Sequence, residues 1–306
     1  MSQRSIPAVL ISLALLAGCG QSAEDALQEL EESGVEFSAE AFVRSAEAGD
    51  ARAVELFLVA EMDLDARRAR REETALMAAS RGDSQSDTGG HPQIVRMLLA
   101  AGADPNLRND WPRTVLMIAL NSMKTSLEVV EALLEAGADP NLGSERSTPL
   151  NLVAWNGRED FARALLEHGA DAKASSQALS ATLGDLTREP RIEIMRWLLE
   201  EGADPNVRDR LGVTPLIEAA ELGRYEAVEL LLEHDADVTL RTNHGRSALG
   251  VAKFELGRAQ SRDELFPDTS WLRDEDDIHM ARALSRVPTK NLEAVVELLE
   301  DADAPE

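Results

Sequence analysis

Cysteine is almost missing from this chain: Cys19 is the only one in 306 residues. A disulfide framework and a thiolate-built metal site are thereby excluded, and stability has to come from packing. Aromatic residues make up 4% of the sequence, so small and aliphatic side chains must fill the core. Positive charge is scarce too, with 31 basic against 56 acidic residues and a net charge of −25. A surface of that sign repels phosphate backbones and argues against nucleic acid as a ligand. Four of the basic residues are lysine and the rest arginine, and the acidity suits either a solubility coat or a field that steers a partner. There is no nucleophile elbow, phosphate-binding glycine loop or histidine-rich metal spacing, which leaves catalysis, cofactor and metal without a motif. Among the five histidines, His168 and His234 fall at equivalent helix ends, where they are expected to cap carbonyls.

What is abundant is repetition. Gly102-Ala103-Asp104-Pro105-Asn106 returns as Gly137 to Asn141, as a decayed Gly169 to Lys173, as Gly202 to Asn206 and as Asp235 to Thr239. Steps of 35, 32, 33 and 33 residues separate their first positions. A period near 33 specifies stacked supersecondary units and not one globular core.

Each unit reads as a helix pair. In the best preserved one, Thr214 is placed to cap a helix and Pro215 to occupy its first position, where a missing N–H costs nothing. The small Ala219-Ala220 pair allows close packing before Gly223 ends the helix. A second helix from Tyr225 to His234 aligns Val228, Leu231 and Leu232 on one face. In the sibling units a terminal Gly enters the left-handed conformation and Pro follows three positions on.

This pattern resembles the ankyrin repeat, whose start is matched by Thr74-Ala75-Leu76-Met77, Thr114-Val115-Leu116-Met117, Thr148-Pro149-Leu150-Asn151 and Thr214-Pro215-Leu216-Ile217. The resemblance implies an all-α solenoid of about seven helix-turn-helix units with projecting loops, over roughly residues 38 to 302. A diverged first unit spans about Ser38 to Ala66, and the last is interrupted after Ala248-Leu249. The motif histidine is replaced throughout, by Met77, Met117, Asn151, Ile217 and Gly250, so its usual hydrogen bonds must be met otherwise. Asp235 stands where a Gly is expected. The fifth unit offers only Gln177-Ala178-Leu179 or Ala181-Thr182-Leu183 as a start, before a clear second helix from Ile192 to Glu200.

At the N-terminus, Arg4 precedes the apolar run Ile6 to Leu16, which closes on Leu16-Ala17-Gly18-Cys19. Eleven residues are too few to cross a bilayer, which takes about 20. The segment reads as an export signal, and its ending resembles the lipobox of bacterial lipoproteins. That resemblance implies a signal peptide over 1–18, lipidation of Cys19, and a mature chain facing the periplasm, with Gly20 favouring the outer membrane. Residues 19–37 are expected to be a lipidated linker and capping segment, and 38–306 the repeat domain.

The loops between units, taken as 64–73, 107–113, 142–148, 172–177, 207–213 and 240–246, carry twelve basic and six acidic residues. A basic edge on an acidic body is a docking polarity. By resemblance, ankyrin fingers and the concave helix surface contact partners. Carried over, this points to Arg70, Arg71 and Glu73, to Asp110, Trp111 and Arg113, and to Arg210, Leu211 and Val213 in the fingers. After the Ala-Ala position come Trp155 and Asn156, then Glu221 and Leu222. Trp and Arg dominate binding hot spots, although Trp111 and Trp155 suit packing within the stack as well. Trp197 is assigned to the core.

Two insertions break the period, near 83–90 and 254–288. The second holds Phe266-Pro267, Trp271-Leu272, a helical stretch ending near Leu284, and the run Asp274 to Asp277 with His279, read as solvated carboxylates and not as a cation site. It either grips a partner or folds back on the stack. The sequence thus leads to a monomeric, non-enzymatic, membrane-anchored protein binder, either scaffold or inhibitor. A cell-envelope binder of glycan or lipid headgroups is the alternative.

Overall fold

The computed structural model describes residues 21–69, 72–81, 91–122, 124–143, 148–184, 190–265 and 287–304, with 262–265 described by backbone only. Fifteen helices are formed among the described residues, together with two isolated antiparallel bridges, Arg108 with Thr114 and Arg241 with Ser247. The chain divides into two compact units, Met1–Val153 with Asp160–Ala170, and Ala154–Glu159 with Asp171–Glu306.

In unit 1 the helices are α1 (Ala23–Glu32), α2 (Ala39–Ala48), α3 (Ala51–Val59), α4 (Ala75–Arg81), α5 (Pro92–Ala101), α6 (Val115–Asn121) and α7 (Leu127–Glu135). The first helices of successive pairs pack in one layer, α2 on α4 and α4 on α6. A second layer runs α1, α3, α5, α7. Helix α8 (Pro149–Asn156) passes from unit 1 to unit 2 after Val153, and α9 (Glu159–Glu167) lies in unit 1 apart from its first residue. Unit 2 repeats the two-layer plan: α10 (Ala178–Thr182), α12 (Pro215–Glu221) and α14 (Ala248–Leu265) pack in sequence, as do α11 (Ile192–Glu200), α13 (Tyr225–Glu233) and α15 (Thr289–Asp301).

The caps follow the sequence reading. Hydroxyls of Thr74, Thr114, Thr148 and Thr214 accept the backbone N–H three residues on, at 3.2–3.3 Å, each satisfying a donor that the first helical turn leaves free. At the other end of the unit, the N–H of Ala103, Ala138, Ala170, Ala203 and Ala236 returns five residues to a leucine carbonyl at 2.9–3.0 Å, a Schellman closure. Those leucines, Leu98, Leu133, Leu165, Leu198 and Leu231, are all fully buried. Burial of each contributes roughly 2 kcal/mol. The small partners, among them Ala79, Ala119 and Ala219, have no exposed surface and let the layers approach closely.

Asp235 does take the left-handed conformation, with φ 61°, and so do Glu61 at 57° and Asp303 at 55°, which close the first and last pairs. The sites of the absent motif histidine are dry: Met77, Met117 and Ile217 are buried, so no polar group there needs a partner. The exception is Asn151, whose buried Oδ1 has no hydrogen bond among the described residues. The fifth unit starts at Gln177-Ala178-Leu179, with a first helix of five residues.

One boundary differs from expectation and one segment gains detail. The described part of 19–37, expected as a linker and capping segment, holds α1, opened by a reciprocal capping box between Ser22 and Asp25 and closed by Gly34 with φ 73°. Ala26 and Leu30 are buried, and the helix packs on α3, so it is the second helix of a half repeat. The insertion expected from 254 begins as an extension of a repeat helix, since α14 runs unbroken to Leu265. The remainder, 266–286, lies outside the described residues, as does 83–90.

Candidate partner-binding surface

Three of the fingers, 107–113, 207–213 and 240–246, are short hairpins in which a side chain at the base holds the tip. In unit 1, Asn109 Oδ1 accepts the N–H of Trp111 at 3.0 Å and of Arg113 at 3.1 Å. In unit 2, Asp209 Oδ1 accepts from Leu211 and Val213, both at 2.8 Å. The hydroxyl of Thr242 does the same for His244 at 3.3 Å and Arg246 at 3.2 Å. The backbone N–H of Asn109, Asp209 and Thr242 in turn donates to the carbonyl four residues on, at 2.9–3.0 Å, so one residue per finger closes the turn through both its side chain and its backbone and leaves the intervening side chain outward.

Trp111 is thereby 69% exposed and Leu211 58%. Asp110, Arg113 and Arg210 are exposed beside them. Val213 is half-buried. On the inner helix positions Trp155 is 49% exposed, Glu221 is exposed, and Asn156 and Leu222 are half-buried. Trp197 is half-buried and not a full core residue. Arg70, Arg71 and Cys19 lie outside the described residues.

Glu73 does not belong with these contact positions. Its side chain is 4% exposed, in a closed ring of alternating charge. Arg68 binds Glu73 and, at 2.8 Å, Glu47; Arg81 binds Glu73 and Glu47, each at 2.6 Å. The Glu47 carbonyl is also in hydrogen-bond contact with His91 Nε2 at 2.9 Å. Burial would raise the Glu47 carboxyl, but the hydrogen bonds and charges of Arg68 and Arg81 outweigh it and hold the group below its ordinary value. Burial likewise opposes the charge on Arg68, yet Glu47 and Glu73 raise its affinity for the proton. Sequence spacing hid this ring, whose members come from two helices and a finger.

Glu218, on the inner side of α12, is pushed up by burial and by the neighbouring charges of Asp209 and Glu221, against a hydrogen bond from Ser180. His168 Nδ1 meets the Ala164 carbonyl at 2.9 Å, the expected cap. Among the described residues there is no cluster of three metal-ligating side chains, and no helix is long and apolar enough to cross a membrane.

Helix pairs in two layers, closed by identical turns and edged by projecting hairpins, define a class of repeat protein that presents surface to other macromolecules. The family model of ankyrin repeats in three copies matches residues 84–176 and 186–260, over half of the chain, and the chain belongs to the ankyrin-repeat family. Ankyrin repeats mediate binding of protein partners and are generally non-enzymatic. No curated protein matches the chain. Among solved structures it is similar to an ankyrin repeat domain (ABAYE2397) from Acinetobacter baumannii AYE, with 26% identity, 64% of this chain and 98% of the other covered, and a TM-score of 0.55. The human ASB11 ankyrin repeat domain shares 23% identity over 69% of this chain and 90% of that one, with a TM-score of 0.54. That of Bcl-3 shares 22% over 76% and 94%, at 0.50. These last two likenesses concern the fold alone.

Proposed function

We propose that this chain is an exported, lipid-anchored ankyrin-repeat protein that docks a protein partner through its fingers and inner helix positions, as a scaffold or as an inhibitor, without catalysis. The observation that carries the docking role is Trp111, 69% exposed at the tip of a finger whose backbone Asn109 fixes from below. A large ring held in water by a built turn has no packing role, and Trp is the side chain most enriched in binding hot spots. Arg113 beside it, bound to no other side chain among the described residues, adds a charge for recognition. Support for the anchor comes from the stretch Leu16-Ala17-Gly18-Cys19 after an apolar run, with several acyl chains needed for durable attachment.

The test is a crosslinked pull-down from cells making the tagged chain, beside a Trp111→Ala, Arg113→Ala, Trp155→Ala variant and a Cys19→Ser variant. One dominant protein recovered by the wild type and lost by the triple variant is expected. Cys19→Ser should move the chain from the membrane to the soluble fraction and abolish acyl-chain incorporation. Equal recovery by the triple variant would sink the docking surface. Binding of isolated peptidoglycan or vesicles in place of a protein would favour an envelope ligand.

A further inference from the structure

Four fingers carry an arginine six residues before the cap of the following helix: Arg68, Arg108, Arg208 and Arg241. Their surroundings differ in a way that bears on the partner. Arg68 is enclosed by Glu47, Glu73 and Arg81, so its charge is cancelled within unit 1. The positions matching those three around Arg208 are Gly184, Val213 and Glu221, and no carboxylate binds Arg208 among the described residues. Its Nη2 instead donates to the Arg241 carbonyl at 2.7 Å, a bond that ties one finger to the next and leaves the charge in place.

A second tie comes from Asn243, whose backbone N–H donates to the Leu211 carbonyl at 2.8 Å and whose Nδ2 donates to the Arg210 carbonyl at 3.0 Å. The fingers 207–213 and 240–246 are therefore one bolted pair. Between them they hold Arg208, Arg210, Arg241 and Arg246 against a single acidic residue, Asp209. Arg210 and Arg246 are exposed and have no carboxylate partner among the described residues. Leu211 stands 58% exposed at the tip. A chain of net charge −25 that leaves Arg210 and Arg246 without a carboxylate among the described residues, around an apolar tip on a pre-organised backbone, is complementary to carboxylates flanking an apolar group.

We infer that the finger pair of unit 2 docks an acidic polypeptide segment carrying an apolar side chain, with Arg210 and Arg246 meeting its carboxylates and Leu211 its apolar group. This rests on the protein-binding reading and names the partner's chemistry. Rigidity matters to it, because a platform ordered in advance loses less freedom when the partner arrives.

The experiment is a selection of random displayed peptides on the full-length chain, in parallel with Arg210→Glu/Arg246→Glu, Leu211→Ser and Trp111→Ala variants whose folding is checked by thermal melting. Enriched peptides should be rich in Asp and Glu around a Leu, Phe or Trp. Their affinity, read by fluorescence anisotropy, should fall at least about tenfold on charge reversal and steeply with salt, and hold in Trp111→Ala. Neutral or basic winners, no winners, or acidic winners indifferent to the reversal would overturn the inference. Winners that depend on Trp111 alone would overturn it while leaving the broader protein-binding reading intact. Sedimentation of the chain by itself decides against this occupant if copies associate through Arg210 and Arg246. Binding to anionic vesicles lost in the same variant decides against it as well.

Discussion

The side-chain carbonyl of Asn106 accepts the backbone N–H of Asp139 at 2.8 Å, linking one tail to the next. Its amide end donates to the Gly137 carbonyl at 2.9 Å. Asn206 repeats both bonds, to Asp237 at 2.7 Å and to Asp235 at 3.3 Å. The Asp of each tail is occupied locally: Asp104, Asp139 and Asp204 accept the N–H two residues on at 2.8–2.9 Å. The recurring Asp and Asn therefore have separate tasks, the first to shape its own turn and the second to hold the neighbour's.

Asn106→Ala should lower the stability of unit 1 by about 1 kcal/mol, since both lost bonds are exposed and water replaces part of them. Asn106→Asp keeps the acceptor and loses the donor, and should cost less. Urea midpoints of the two variants measure the difference; equal, unchanged midpoints would show that the tails are not coupled.

Asp235→Gly should stabilise the protein. With φ at 61°, the aspartate carries the steric cost that glycine avoids, and the gain is about 0.5–1 kcal/mol after the extra freedom of glycine in the unfolded chain is subtracted. Gly102→Ala, at φ 101°, is the opposite control and should destabilise. A lower melting temperature for Asp235→Gly would show that another contact of the carboxylate outweighs the strain.

Removal of Glu73 should be costly. Glu73→Ala leaves Arg68 and Arg81 sharing one carboxylate in a space where Arg68 is 12% exposed, and a loss of about 3 kcal/mol is expected. The ring also gives acid sensitivity. Glu47 is held below the ordinary 4.5, so its contribution is fully present above that pH and disappears as pH falls through the lower folded value. Thermal melts between pH 6 and pH 3, taken as roughly spanning the carboxylate range, should fall less steeply in Glu47→Gln than in the wild type.

Gly212→Ala should loosen the unit 2 finger pair. At φ 74°, a Cβ there would meet Arg208 Nη2 and Asn243 Oδ1, each at 2.6 Å. Both atoms belong to the side chains that tie the fingers, and the substitution should cost about 1–2 kcal/mol locally. Amide exchange at Asn243 reports it directly, and protection equal to the wild type would show the fingers are not bolted by these bonds.

Where identity of residues repeats, the fold was legible: the threonine caps, the terminal glycines and the Leu-rich second helices each appear several times at one spacing. Helix α1 was harder to read because seven of residues 23–40 are acidic and its buried positions amount to Ala26 and Leu30, too sparse a stripe to register as a period. Its signal was Ser22 with Asp25 three residues later, a capping box that polar sequence makes easy to pass over. The exposure of Trp111, Arg113 and Leu211 was readable because a finger's place in the period decides it. Glu73 was misread by the same rule. Its burial depends on Arg68, Arg81 and Glu47 meeting in space, and no local pattern encodes that meeting.

Under the proposed lipidation, the capping box at Ser22 would also fix the length of a mooring line. With Cys19 acylated as proposed, only three peptide steps separate the membrane-held residue from the helix cap, and a chain extends at most roughly 3.6 Å per step. Unit 1 would then ride within about 11 Å of its attachment point, at a height above the bilayer set by its own girth and not by a flexible stalk. Partners would have to be met at the membrane surface itself, and a long spacer placed between Cys19 and Ser22 would change which of them the protein can reach.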